Sequence, residues 1–395
     1  MGDNRFDFLE IGEQQRKAQQ PPSDSVPEYS IPEPPTILTT SSQADDIPLA
    51  QVIEDDPRGY QSFIKSRDAE EGALGQAVLP TFSKYGLYPV EVFGERGIKA
   101  GQFNYPTGIA VDSAGILFIA DSYNHRIQRV TPNSGVSVIG ERGSAHRQFL
   151  TPYAIATDSR RSFYIVEQGN NRIQKYSCEG VLEMVLGRPG VGDGEFHGPT
   201  GIAISPATGD IFIADTGNSR VQRFTYDGRF VTSIGVRGSN FTRLSSPQAL
   251  LVDAADNLYV ADTTTNRVVH FDPIGRFVGY YPSTAATTNN ITKPPQFREP
   301  RAICFDPKGI LYIADSGPLD TAGNTTPGRV HAFDTTTQQV LTTITVLAQG
   351  LGPLMRPGGI AVTEVPPFGS QSTSRYNDLY CADTLNHRIL RFRWT

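Results

Sequence analysis

Two recurring residue patterns in this sequence could do chemistry. The first is an acid followed five positions later by an arginine: Asp121 and Arg126, Glu167 and Arg172, Asp215 and Arg220, Asp262 and Arg267, Asp383 and Arg388. A sixth acid, Asp315, meets its arginine only at Arg329, beyond an insertion at 317–328. A carboxylate and a guanidinium make a planar, charge-assisted contact. Repeated unit after unit, that contact predicts structural pairs that fix loops, since an active site needs asymmetry. The second pattern sets arginine between glycines: Gly94-Glu95-Arg96-Gly97, Gly140-Glu141-Arg142-Gly143, Gly187-Arg188-Pro189-Gly190 and Gly235-Val236-Arg237-Gly238. If these loops share one face, Arg96, Arg142, Arg188 and Arg237 form an arc of cations, joined by Arg147, Arg243, Arg298 and Arg356, on which an anionic partner docks. Tyr123 and Tyr153 offer rings beside that arc. The plainer alternative is a solvated rim of mixed charge, because Glu95 and Glu141 adjoin two of the arginines.

Other reactive constellations are not written in the chain. It has no phosphate-cradling glycine loop ending in Lys-Ser or Lys-Thr, and no GxSxG turn. The cysteines, Cys178, Cys304 and Cys381, are too few and scattered for a disulfide framework, and no CxxC pair suggests zinc. Cys304 and Cys381 replace small or apolar strand residues and are expected to be packing thiols. Cys178, in the turn Ser177-Cys178-Glu179-Gly180, is expected to be exposed and reactive.

The elements that position these residues are repeats. Six segments align on a proline, an apolar run, a second apolar run ending in the acid, and the arginine; they begin at Pro106, Pro152, Pro199, Pro247, Pro300 and Pro357. The prolines recur after 46, 47, 48, 53 and 57 residues, room for four short strands per unit. Ile109-Ala110-Val111 predicts an inner strand and Leu117 to Ala120 a second. Arg126 to Val130 alternates as a half-solvated strand does. The last unit stops after Arg388 to Phe392 without its fourth strand, while Tyr88 to Gly94 matches the fourth strand of the other units. A ring left open exposes strand edges, so residues 88–94 are expected to complete the sixth unit and hold the ring shut.

These units resemble NHL repeats, with Asn124-His125-Arg126-Ile127 and Asn386-His387-Arg388-Ile389 carrying the namesake dipeptide. The resemblance covers about three quarters of the chain and implies an all-β fold, a six-bladed β-propeller of four-stranded blades. Function varies on such folds. A peptidylglycine amidating lyase resembles this fold and holds zinc through histidines at the central tunnel. Here the residues after the inner-strand prolines are Thr107, Tyr153, Thr200, Gln248, Arg301 and Gly358, with no histidine among them. The six histidines, of which only His146 and His197 fall between units, do not make the three or four converging ligands zinc requires. No cofactor is therefore expected. Some NHL propellers bind single-stranded RNA on a basic face, but a nearly neutral ring releases few counterions.

Charge separates the chain into two parts. Residues 1–87 hold 7 Lys/Arg against 15 Asp/Glu, net −8, whereas residues 88–395 hold 28 against 26, net +2. Only seven of the basic residues are lysine, so the cations are mainly the planar, bidentate kind. The acidic part is proline-rich between 20 and 57 and too poor in apolar residues to order itself. Flanking it, Phe6 and Leu9 on one side and Tyr60, Phe63 and Ile64 on the other are candidate anchors. The reading is a 1–87 extension, largely irregular and serving as a docking tether, followed by an 88–395 propeller. No signal-like or membrane-length apolar run is present, which predicts a soluble cytoplasmic protein. The favoured function is a non-catalytic scaffold binding the protein subunits of a larger complex, with neither nucleic acid nor a small-molecule substrate expected. The alternatives are a propeller enzyme of lyase or hydrolase type with a tunnel metal, and single-stranded RNA binding on the arginine face.

Overall fold

The computed structural model describes residues 87–131, 135–236, 242–282, 297–317, 326–345, 351–363 and 378–394. They form six antiparallel sheets of four strands each, built as successive meanders. In the first blade Pro106–Val111 pairs with Leu117–Asp121, that with Arg126–Thr131, and that with Gly135–Ile139. The innermost strands touch in sequence: Pro106–Val111, Pro152–Thr157, Gly201–Ile204, Pro247–Val252, Pro300–Phe305, Pro357–Thr363 and back to Pro106–Val111. The ring is closed, and these strands surround its axis.

The sixth blade draws its outer strand from the start of the propeller. Leu87–Phe93 runs antiparallel to Arg388–Trp394, with Leu87 opposite Trp394 and Phe93 opposite Ile389. Leu87 joins the core of Leu390, Phe392 and Cys381, so the seam is apolar as well as hydrogen-bonded.

Burial follows the blade order. Every residue of the second strand in the first blade, Leu117–Asp121, is buried, because sheets pack on both of its faces. The third strand is not half-solvated as its alternation suggested. Arg126–Thr131 is buried at Arg126, Ile127, Gln128 and Val130, and only Arg129 and Thr131 are half-buried. True alternation appears one strand further out, at Leu182–Leu186, where Glu183 and Val185 are exposed. The polar residues of the third strand are thus interior groups that must find partners, and those partners lie in the inter-blade loops.

A candidate binding face around the channel mouth

The inter-blade loops hang on a buried apolar side chain, aromatic in the first three and leucine at Leu244 and Leu354. Phe103, Phe149 and Phe196 are fully buried and bridge back to Arg96, Arg142 and Pro189 respectively. A β-carbon at Gly94, Gly140 or Gly187 would collide with these rings, and all three glycines have positive φ, 90°, 80° and 98°. Only glycine meets both demands.

The recurrent acids are fully buried and bind more than their arginines. Asp121 accepts from Arg126 Nε at 2.8 Å, Gln128 Nε2 at 2.9 Å, Asn124 Nδ2 at 2.9 Å and the Asn104 amide at 2.6 Å. Arg126 then donates to the loop carbonyls of Ile98, Lys99 and Gln102. The second and third blades repeat this with Glu167, Arg172 and Gln174 and with Asp215, Arg220 and Gln222. Ion pairs also join Arg267 to Asp262 at 3.2 Å and Arg388 to Asp383 at 2.7 Å. The fifth blade departs from expectation: Asp315 and Arg329 are opposed in the backbone ladder, yet no ion pair joins them among the described residues. His331 Nε2 instead lies 3.3 Å from the Asp315 carboxylate. It stands where Gln128 stands in the first blade, two residues after the arginine, a shorter reach than the delayed arginine has.

Two further sets of contacts tie blade to blade. The hydroxyl after the acid donates to the next blade's inner-strand proline carbonyl: Ser122 to Pro152, Thr216 to Pro247, Thr263 to Pro300 and, closing the ring, Thr384 to Pro106, each at 2.7 Å. In four blades the residue before the blade arginine adopts left-handed backbone and accepts from the next inter-blade loop, whereas Ser219 donates to Ser245 O. His125 Nδ1 accepts from Thr151 N and His387 Nδ1 from Tyr105 N, both at 3.1 Å, while Asn171 and Asn266 do the same with their side-chain oxygens. The namesake histidine is therefore a neutral inter-blade clasp. Burial, with Arg142 beside His125 and Arg96 beside His387, lowers the pKa of both rings. The buried third-strand glutamines and the hydroxyl clasps were missed in the sequence, although Gln three times after Arg-x and Ser or Thr after Asp are both visible there.

Three of the arginine loops are tied to equivalent turns of their blades. Asn124, Asn170 and Asn218, all in turns between second and third strands, donate to the carbonyls of Gly97, Gly143 and Gly190. In the inter-blade loops Arg96, Arg142, Arg147, Arg243 and Arg298 are exposed and Arg356 is half-buried. Arg188 differs, being paired with Glu195 at 2.8 Å. The Glu95 and Glu141 carboxylates accept from Gln102 at 2.7 Å and Gln148 at 2.9 Å and keep their negative charge beside Arg96 and Arg142. Arg237 and the candidate anchors Phe6, Leu9, Tyr60, Phe63 and Ile64 lie outside the described residues.

Around the channel mouth the ring of residues after the inner prolines carries the asymmetry. Thr107 and Thr200 are spent on the carbonyls of Tyr153 and Gln248. Arg301 donates to Gln248 Oε1 and to Glu299 Oε2, both at 3.0 Å, and its Nε is buried without an acceptor. Tyr105 and Tyr123 stack with centroids 4.5 Å apart. Burial pushes the Tyr105 phenol up to about 12, against the pull of Arg356 and then Arg301, with Tyr153 and Tyr123 adding to the rise. Burial works against the Arg301 charge, but Tyr153, Glu299 and Tyr105 together raise its pKa. In a six-membered ring the second and fifth blades are opposite, so Tyr153 and Arg301 influence each other across the mouth.

The cysteines differ from one another. Burial pushes the Cys304 and Cys381 thiols up, as packing thiols require. Cys178 hydrogen-bonds Glu179 at 2.9 Å, and that bond raises its pKa, the reverse of activation. Among the described residues no three His, Cys, Asp or Glu side chains converge as metal ligands, and no helix is long and apolar enough to cross a membrane.

Closed ring, swapped outer strand and loops pinned by buried acids define a repeat β-propeller. The NHL repeat family matches residues 103–130 and 196–224, so this propeller carries NHL repeats. A 36-residue stretch is 53% identical to the B-box type zinc finger protein ncl-1 of Caenorhabditis elegans, spanning 9% of this chain and 4% of that protein. Among solved structures, a Bacteroides thetaiotaomicron protein of unknown function aligns with a TM-score of 0.55 at 15% identity, over 79% of this chain and 76% of that one. An auxiliary nutrient binding protein from the same organism aligns at 0.51 and 13% identity, over 80% and 79%. A streptogramin B lyase aligns at 0.48 and 14% identity over 79% and 98%. Identities this low speak to fold alone.

Proposed function

We propose that this chain is a non-catalytic interaction propeller that docks into a larger protein assembly through its loop face, with the acidic residues 1–87 as a second contact. The observation that carries the reading is the disposition of charge on the loops. The loops carry Arg96, Arg142, Arg147, Arg243 and Arg298 exposed, while the Glu95 and Glu141 carboxylates, still charged, accept from glutamines. The loops beneath them are fixed by buried hydrogen bonds, so these cations are presented with little loop entropy to lose on binding. Arginine on a rigid platform suits a protein interface that carries carboxylates.

The test is affinity co-purification with the full-length chain and with Arg96→Glu, Arg142→Glu and Arg243→Glu combined. Charge reversal at three exposed sites is expected to release partners while leaving the melting temperature unchanged. Equal partner recovery from both proteins removes the face. A chain starting at Tyr85 tests the second contact in the same way, and unchanged recovery there removes the tether.

A further inference from the structure

We propose that the mouth of the central channel is a carboxylate-accepting site, in which Arg301 and Arg356 hold the anion, Tyr105, Tyr123 and Tyr153 supply hydroxyls around it, and the carboxylate is a Glu or Asp side chain of the partner. This deepens the interaction-face reading and rests on it.

The repeat itself points to the place. At the position after the inner proline most blades spend their side chain, or lack one. Thr107 and Thr200 donate to neighbouring backbone, and Gly358 has no space for a side chain, since a β-carbon there would lie 2.5 Å from Thr384 Oγ1. Arg301 breaks the series. A guanidinium has five N–H donors, and this one is held in place by a single acceptor on each side, Gln248 and Glu299, with its Nε–H unmet. Beyond the hydrogens given to Gln248 and Glu299, two Nη–H donors remain on a side chain 12% exposed, and an anion at the mouth can accept from them. In the closed ring of inner strands Tyr153 of the second blade lies opposite Arg301 of the fifth, while the stacked Tyr105 and Tyr123 belong to the first blade and the half-buried Arg356 to the loop entering the sixth. Phenols held protonated by burial are hydrogen-bond donors to an anion.

Charge selects the ligand. Two guanidiniums against the Glu299 carboxylate leave one net positive charge at the mouth, which matches a carboxylate and falls short of a phosphate dianion. The planar fork of arginine fits a carboxylate's two oxygens. Arg356 has left-handed backbone, φ 57°, immediately before Pro357, and Glu299 does too, φ 61°, before Pro300. Both charged residues are thus held by the backbone at equivalent corners of neighbouring blades.

Isothermal titration of the full-length chain tests this with four probes: the peptide acetyl-Gly-Ser-Glu-Ser-Gly-amide, its Gln counterpart, sodium acetate and sodium phosphate. The Glu peptide is expected to bind about tenfold or more tightly than the Gln peptide, the usual worth of a charged hydrogen bond. Arg356→Gln and Tyr153→Phe are each expected to weaken the Glu peptide several-fold with an unchanged melting temperature, and Arg301→Gln to abolish binding. Because Arg301→Gln risks unfolding the ring, Arg356→Gln and Tyr153→Phe decide. Equal binding of the two peptides, or unaltered binding in Arg356→Gln, overturns the site, and so does a preference for phosphate. Acetate binding with the peptide excluded keeps the site but gives it to a free organic acid. No probe binding, with partner release still seen in the three-arginine reversal, defeats the site and leaves the interaction face standing.

Discussion

The first three blades and the last three solve the same packing problem with different parts. In the first half a buried glutamine, Gln128, Gln174 or Gln222, sits two residues after the arginine and binds both the acid and a loop carbonyl. In the second half that position holds Val269, His331 and Leu390. Arg126 gives its outer nitrogens to three loop carbonyls, whereas Arg388 has Nη2 buried with no acceptor. The proline spacing is also longer in the second half, 53 and 57 against 46 to 48. Repetition does structural work, and the asymmetric residues Glu299, Arg301 and Arg356 sit where the repetition lapses.

That contrast can be broken experimentally, beginning with the largest effect. Deleting Leu87–Phe93 removes the outer strand of the sixth blade and bares the edge of Arg388–Trp394 together with Leu390 and Phe392. Loss of a cooperative thermal transition is expected, and a normal melt would show that the second half needs no closure. Next, Arg126→Met is expected to cost about 3–5 kcal/mol in chemical denaturation, because Asp121 is left charged and buried. Arg329→Met, which breaks no such pair, is expected to cost under about 1 kcal/mol. Equal costs would erase the distinction between the halves. Gln174→Val, which imposes the fourth blade's residue on the second, strands the Arg147 amide and the Gln148 carbonyl and is expected to cost about 1–3 kcal/mol.

Acidification is a gentler probe. His125 and His387 accept through Nδ1, and burial lowers their pKa in the folded ring. The unfolded chain, with histidine near 6.5, takes up protons first, so the contribution is complete above about pH 6.5 and is lost as pH falls below it. The melting temperature is expected to fall through that window. The double change His125→Asn and His387→Asn keeps the clasp, as Asn171 and Asn266 show, and is expected to flatten this part of the pH profile. The smallest effect on stability is expected from Arg96→Ala, within about 0.5 kcal/mol, since the side chain is exposed and unpaired with any acid among the described residues.

Much of the fold was legible because a repeat multiplies a weak signal. One proline or one Asp–Arg spacing means little, but six prolines in order mark the six blades, and the missing last strand pointed to residues 88–94, where the structure has Leu87–Phe93. The third strand misled because Arg126 and Gln128 flanking Ile127 look the same whether the polar groups are solvated or bonded internally. In the fifth blade the arginine was legible and its role was not, since His331 competes for Asp315 by register, which only the ladder reveals. The channel mouth was least legible. Tyr153 and Arg301 are 148 positions apart in sequence and face each other only because six blades close a circle.

The swapped outer strand also sets an order of events on the ribosome. Leu87–Phe93 emerges early but must wait for Arg388–Trp394, roughly 300 residues later. At about 5–20 residues per second that is on the order of 15–60 seconds in which an apolar strand has no partner. A chain with this topology is exposed to mispairing during its own synthesis, and the sixth blade, last to form, is where a folding helper would be most needed.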